Sequence, residues 1–581
     1  MKIFTIDSRR LVFLMTIAAL FWAGMAAGST AAQTEPSATS DSAAEDTVTP
    51  TVEPTATFAP PGDIRFGVIE SFEDPDAAGR LGAAWTRVRF QWADVQPDGP
   101  DDWQPPLDDE ALAAELAAGR EVVGLLIGIP DWARDRRGLP RGLALPYDDA
   151  DNTWGVFVTD VVTRYAGRID RWIIWNEPDI GDSDAPGHTW DGDIEEFFQL
   201  QRTAYLTAKA ANPDAIVHLG AFTYFWDPGY FSRFLNLIAA DPEAAAHNYY
   251  FDVATAHLYF QPNAVFNVLY AFRRVLDAHG LAQPIWLVET NAPPMDDPYW
   301  TVDNWTLAVS LNEQAAFVPQ AIAIALAAGV ERVAIYKLKD TAGDRAANPE
   351  PFGLVRWDNS RRPAFDTYRV AIRLLGGVRR AERERWDAVG QVRLEQAGQS
   401  TTVLFARLPG QQEATVAATA ATADLVDMWG RRETIEADGG LFTVELPGAL
   451  CRQTIADYCM IGGTTYYLIQ QKGEPADDER DVVIEEGGES AEASSPAAIW
   501  TPALQVSSPP EPSSTPRPTA TPMPTTGPTA TPTAVAAQSS AVLLEPSGQV
   551  SNRSGLVVLG LGLALGVGMG VWWLARRRSI P

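Results

Sequence analysis

Apolar positions along this chain fall into two alternating rhythms. Short β-branched and aromatic runs predict strands over Ile64–Ser71, Trp85–Trp92, Val122–Gly128, Trp172–Glu177, Ile216–Phe222, Val253–Tyr259, Ile285–Thr290 and Val333–Leu338. Between them, apolar residues recurring at helical spacing predict helices over Asp109–Ala118, Thr153–Tyr165, Ile194–Ala211, Ala264–His279 and Asn312–Ala328. The third of these stops at Asn212-Pro213, because a residue before proline is pushed out of the helical region. Strands alternating with helices over residues 62–375 predict an α/β fold, a (β/α)₈ TIM barrel, whose active site lies at the C-terminal ends of its strands. The rhythm then changes. Residues 376–472 carry the short runs Val392–Leu394, Thr402–Ala406, Thr415–Ala418, Ala423–Asp427, Gly440–Glu445 and Thr464–Ile469, separated by turns such as Leu408-Pro409-Gly410. They predict a small all-β sandwich.

The flanks read differently. Arg9 and Arg10 precede an apolar stretch from Leu11 to Ala27 and then small residues, the order of a secretory signal, here placed at residues 1–32, or of an uncleaved anchor. Gly555 to Ala575 is uncharged and long enough to cross a hydrocarbon core as a transmembrane helix. Arg576, Arg577 and Arg578 follow, so the positive-inside bias leaves the tail at 576–581 in the cytoplasm and the folded part outside a single-pass cell membrane anchor. Residues 33–61 form a Thr/Pro-rich linker, and 473–554 an acidic run followed by a Pro/Thr-rich stalk; neither buries a core. The net charge of −30 excludes a general nucleic-acid binder, and it would repel a polyanionic glycan unless the site were locally basic.

The chemistry gathers at two strand ends. Trp172-Ile173-Ile174-Trp175-Asn176-Glu177-Pro178 delivers Glu177 at the end of the fourth strand, and Pro284-Ile285-Trp286-Leu287-Val288-Glu289 delivers Glu289 at the end of the seventh. Glycosidic cleavage needs one carboxyl that donates a proton to the leaving oxygen and one that is ionised to attack or stabilise the anomeric carbon, with their environments holding the two apart. Either glutamate alone also fits a helix cap or a rim ion pair; the pair together predicts a glycosidase. His-Glu-x-x-His, Gly-x-Ser-x-Gly and Walker-type motifs are absent, and the five histidines are dispersed, so neither a metal nor a cofactor is expected.

With these residues in place, the chain resembles the clan A glycoside hydrolases, especially the group around families 5 and 39, over residues 62–375. The resemblance rests on Asn176-Glu177-Pro178 ending strand four, Glu289 ending strand seven, Arg89 in Val88-Arg89-Phe90 near the end of strand two, and His257-Leu258-Tyr259 ending strand six. It implies that Glu177 is the acid/base, Glu289 the nucleophile and Asn176 the partner of the sugar 2-hydroxyl. It further implies that Arg89 and Tyr259 hold the nucleophile ionised and that His257 lines the pocket. Trp132, Trp190, Trp226 and Trp300 lie in loops after barrel strands, where an aromatic face either stacks on a sugar or packs. Clan members commonly end strand eight in a tryptophan platform. This chain reads Ile335-Tyr336-Lys337-Leu338-Lys339-Asp340, which leaves Tyr336 to substitute and puts lysines at the innermost subsite. Cys451 and Cys459, the only cysteines, are either a disulfide or two thiols in an oxidising compartment. The expectation is a cell-surface retaining glycoside hydrolase acting on oligo- or polysaccharide by double displacement. The alternative is a catalytically inactive carbohydrate-binding or adhesion protein on the same scaffold, and the joint presence of Glu177, Glu289, Asn176 and Tyr259 favours the enzyme.

Overall fold

The computed structural model describes residues 62–472, apart from 186, 301, 303–306 and 348–349. The expected signal at 1–32, linker at 33–61, stalk at 473–554, transmembrane helix at 555–575 and tail at 576–581 lie outside the described residues. Among the described residues no helix is long and apolar enough to cross a membrane.

Eight parallel strands form the first sheet: β1 (Phe66–Val68), β2 (Trp85–Gln91), β3 (Glu121–Ile127), β4 (Arg171–Ile174), β5 (Ile216–His218), β6 (Ala254–His257), β7 (Ile285–Thr290) and β8 (Arg332–Ile335). β1 pairs with β8 through Gly67 and Ala334, and β5 meets β6 through the bridges His218–Val253 and Phe222–Ala256, which close the barrel. One principal helix follows each strand: α1 (Pro75–Leu81), α2 (Asp109–Ala117), α3 (Thr153–Tyr165), α4 (Ile194–Ala211), α5 (Tyr230–Ala240), α6 (Pro262–Ala278), α7 (Leu311–Ala327) and α8 (Pro363–Leu375). Local sequence sets the helix starts. Asp193 with Glu196 and Ser310 with Glu313 form reciprocal capping boxes at α4 and α7, each satisfying backbone donors that would otherwise be unpaired. Inside the barrel, tryptophans use the space that glycines leave on the neighbouring strand. A Cβ on Gly67 would lie 2.3 Å from the Trp85 ring and one on Gly124 2.3 Å from Trp172, so neither strand tolerates even alanine there without repacking.

The sequence pattern places all eight strands but overextends most of them. The apolar run expected to be strand to Glu177 leaves regular strand geometry after Ile174, because Trp175 and Glu177 take left-handed backbone angles (φ 74° and 51°), and only an isolated bridge from Asn176 to Ala221 continues the pairing. Helices α1, α5 and α8 were not predicted. The first is only seven residues and contains glycine, and α5 is crowded with Tyr and Phe, which form helices reluctantly.

The second region has a six-stranded antiparallel sheet and two two-stranded ones, the smaller a short hairpin of Thr454–Ile455 with Tyr458–Cys459. Its longer strands are β9 (Val378–Trp386), β10 (Val389–Gln396), β11 (Gln399–Ala406), β12 (Gln412–Ala417), β13 (Thr422–Asp427), β14 (Arg432–Glu436), β15 (Leu441–Leu446) and β16 (Tyr466–Gln471). The larger sheet runs β14-β13-β16-β11-β10-β9, and β12 pairs with β15. Strand β9, Val-Arg-Arg-Ala-Glu-Arg-Glu-Arg-Trp, has no apolar run to betray it; it is an edge strand, where charge protects against mispairing. The sandwich packs on the barrel: Val392, Leu394, Val403 and Phe405 join the same buried cluster as α7, and Gln320 of α7 bonds the Gly462 N–H and the Gly463 carbonyl, both at 3.0 Å. Cys451 and Cys459 are joined in a disulfide.

Candidate active site

Glu289 is the penultimate residue of β7 and almost wholly buried. Burial by itself pushes its pKa up, but His257, Arg87 and the hydrogen bond from the Tyr259 hydroxyl outweigh it and hold the carboxyl below the ordinary glutamate value of 4.5. The Arg87 guanidinium lies 2.5 Å from Oε1, the Tyr259 hydroxyl donates to Oε2, and His257 Nδ1 lies 3.5 Å from Oε2. In turn, burial and the neighbouring Glu289 raise the Tyr259 pKa well above the usual tyrosine range, so the phenol stays a donor.

Glu177 stands across the pocket. Its left-handed φ turns the chain sharply off β4, and its backbone N–H is anchored to the Ala221 carbonyl at 2.9 Å. Two residues on, the buried Asp179 carboxylate accepts the N–H groups of Thr223 and Tyr224, both at 2.9 Å, tying this loop to the one after β5. The Glu177 side chain meets His257 Nδ1 at 2.8 Å through Oε1. One oxygen from each glutamate and one His257 nitrogen all lie within 4.8 Å of one another. His257, at the end of β6, therefore touches both carboxyls through one nitrogen, while its Nε2 is buried without a partner.

One residue differs from the expectation. The arginine that pairs with the seventh-strand glutamate is Arg87, not Arg89. Both side chains leave the same face of β2, since strand side chains alternate, and the stagger of β2 against β7 brings the deeper one to Glu289. Arg89 stands one step nearer the mouth, where its Nε donates to Gln91 Oε1 at 3.1 Å. Nothing in Trp85-Thr86-Arg87-Val88-Arg89 distinguishes the two; only the register does.

Tyr336 sits beside the site, edge-on to Tyr259 and Phe352, with its carbonyl held by Asn291 Nδ2 at 2.6 Å. Burial raises its pKa, so it too remains neutral. Lys337 turns aside to Glu70 at 2.6 Å and Asp344 at 2.8 Å, a pairing the sequence did not reveal. Asn176 is partly buried, and its carbonyl accepts from the Thr189 hydroxyl. Among the loop tryptophans, Trp132 bonds the Gln96 carbonyl at 2.7 Å and packs edge-on to Trp92, and Trp190 is buried against Trp175. Trp300 is buried, whereas Trp226 is half exposed. Trp226 and Trp190 line a cleft of 580 Å³ that begins at Pro178, immediately after Glu177.

Among solved structures, the chain is similar in fold to a family 39 glycoside hydrolase from Bacteroides cellulosilyticus WH2, at 16% identity, covering 70% of this chain and 81% of that one with a TM-score of 0.52. A glucosidase from Croceicoccus marinus (14% identity; 71% and 98% covered; TM-score 0.48) and a monomeric β-xylosidase from Caulobacter crescentus CB15 (15%; 71% and 98%; 0.46) align more loosely. At such identity the likeness establishes an architecture, a TIM barrel with an appended β domain. No family profile and no curated protein matches the sequence.

Proposed function

We propose that the protein is a retaining glycoside hydrolase in which Glu289 is the nucleophile and Glu177 the acid/base. The observation that carries this reading is the approach of the two carboxyls, with oxygens within 4.8 Å, while only Glu289 is ion-paired to an arginine. Retaining glycosidases hold their carboxyls about 5–5.5 Å apart, and inverting enzymes need about 6.5–9.5 Å to admit a water between nucleophile and sugar. Glu289, kept ionised, attacks the anomeric carbon as Glu177 protonates the departing glycosidic oxygen. Glu177 then takes a proton from water, which attacks the glycosyl-enzyme ester and releases Glu289. His257 orients both carboxyls, and Tyr259 keeps Glu289 Oε2 occupied so that Oε1, beside Arg87, is held in one place. The cleft after Pro178 would take the leaving part of an oligo- or polysaccharide, with Asn176, Tyr336 and Trp132 as candidate sugar contacts. Read with the sequences of the two termini, this chemistry would work at the outer face of a cell membrane.

The test is hydrolysis of a panel of aryl glycosides and polysaccharides with the anomer of the first product followed by NMR. Retained configuration is expected. Glu177→Ala should lose far more rate on poor leaving groups than on activated aryl glycosides, and azide should partly restore it. An inverted first product would overturn the retaining assignment.

A further inference from the structure

We propose that Arg89 recognises a carboxylate on the substrate, making the protein selective for a glycoside of an acidic sugar. This rests on the hydrolase reading and adds the substrate class. Two cations near the C-terminal end of the barrel are committed: Arg87 to Glu289, and Lys337 to Glu70 and Asp344. Arg89 has no carboxylate partner among the described residues; its one side-chain contact is the neutral Gln91. It is exposed, with Arg87 one step deeper on the same strand face, and Tyr336, Glu289 and Glu70 are close enough to act on its charge. It is thus an exposed guanidinium, one step nearer the mouth than the arginine of the nucleophile and on the same face of β2, with only Nε hydrogen-bonded among the described residues.

An arginine there meets repulsion from Arg87 with no carboxylate partner among the described residues to offset it. A neutral sugar does not need it, since hydroxyls are served as well by amides. The planar fork of donors matches a carboxylate two bonds at a time, and such charge-assisted pairs are about twice as strong as neutral ones. In a chain of net charge −30 an arginine without a carboxylate partner at the mouth would offset part of the field that opposes an acidic sugar. A sulfate ester shares the charge but not the planar geometry. Supporting Glu289 electrostatically is the competing role, but the bond from Arg89 to Gln91 and its place nearer the mouth leave that role to Arg87.

The experiment uses the full-length protein and has two arms. Calorimetry compares D-glucuronate and D-galacturonate with glucose, galactose and glucose 6-sulfate, and kinetics compare 4-nitrophenyl uronides with the matching neutral glycosides. At least one uronate should bind about tenfold or more tighter than its neutral counterpart and than the sulfate. Arg89→Gln should erase that preference by raising KM for the uronide, and Arg89→Lys should restore part of it. Neutral glycosides cleaved in preference to uronides, or an Arg89→Gln loss equal on both and accompanied by a shifted acid limb in the pH profile, would overturn the inference and leave the hydrolase standing. Arg89-dependent binding of a uronate with no hydrolysis of any glycoside would sustain the recognition and sink the hydrolase. Neither binding nor cleavage would sink both.

Discussion

The two ends of the barrel carry charged clusters of similar make, and they differ in how fully their charges are matched. At the N-terminal end Glu121, the first residue of β3, is met by Arg171, the first of β4, and by Arg332, the first of β8. Both guanidinia lie over the Trp286 ring, at 5.1 and 4.2 Å. Burial pushes the Glu121 pKa up, and the two arginines more than reverse it. At the C-terminal end Glu289 is depressed by the same kind of balance, against His257 and Arg87. A depressed carboxyl in a barrel is therefore no sign of catalysis by itself. Around Glu121 the carboxylate is matched by arginines on both sides, which fixes three strand ends. Around Glu289 the matching is incomplete: a second carboxyl stands within 4.8 Å, and Arg89, on the same face of β2 as Arg87, bonds only the neutral Gln91 among the described residues.

The sharpest way to break this comparison is to neutralise each carboxyl in turn. Glu289→Gln should lower turnover by roughly 10⁴-fold or more while circular dichroism stays native, because the proposed nucleophile is gone. A variant retaining a tenth of the rate would remove Glu289 from the mechanism. Glu121→Ala should do the reverse. It leaves Arg171 and Arg332 facing each other unpaired, so chemical unfolding should show a loss of about 2–4 kcal/mol, with kcat of the folded protein within a few-fold of the original. A large loss of kcat at unchanged stability would mean that the floor of the barrel is coupled to the site.

A third test asks whether Arg87 does what the depressed carboxyl requires. In the parent protein the acid limb of kcat/KM, set by ionisation of Glu289, should fall below pH 4.5. Arg87→Met removes a cation that favours the ionised form, so the limb should rise by about one to three pH units. The rate deficit should be large at pH 5 and shrink towards pH 8. A limb that stays in place would assign the depression to His257 and Tyr259 instead.

How far the sequence speaks differs between these regions for a physical reason. Strands and glutamates were legible because β-branched runs ending in a lone carboxylate are a local signal: Ile285–Thr290 has the bounds predicted for it, and Glu177 and Glu289 do converge. The choice between Arg87 and Arg89 was not, because it depends on the stagger of β2 against β7, which no property of β2 encodes. The floor cluster escaped for the same reason, since Glu121, Arg171 and Arg332 lie far apart in the chain and meet only when the barrel closes. Lys337 was legible as a lysine at strand eight but not as a residue already taken by Glu70 and Asp344. Strand β9 was hidden by its own composition, charged on both faces where a strand is expected to show an apolar one.

The smallest predicted effect concerns His218, the histidine of the floor, and it contrasts with His257 at the mouth. His257 faces two carboxyls, whereas both ring nitrogens of His218 are buried without partners and its ring stands edge-on to Trp286 at 4.6 Å. Burial first, then the charges of Arg171 and Arg332, hold its pKa well below the ordinary 6.5. The unfolded chain therefore takes up a proton that the folded one refuses. The sign follows: this contribution is complete above pH 6.5 and is lost as pH falls below it, at up to about 1.4 kcal/mol per pH unit until other groups dominate. The depressed carboxyls also cost stability in acid, but their losses begin near pH 4.5, so the interval from 6.5 to 5 belongs chiefly to histidine. His218→Leu, close in volume and unable to titrate, should match the parent within about 1 kcal/mol at pH 8 and should lose less stability between pH 6.5 and 5. Guanidinium unfolding across that range reads the difference directly; parallel curves would mean that His218 finds a proton acceptor within the folded barrel and that the floor is not the sealed, positively charged site described here.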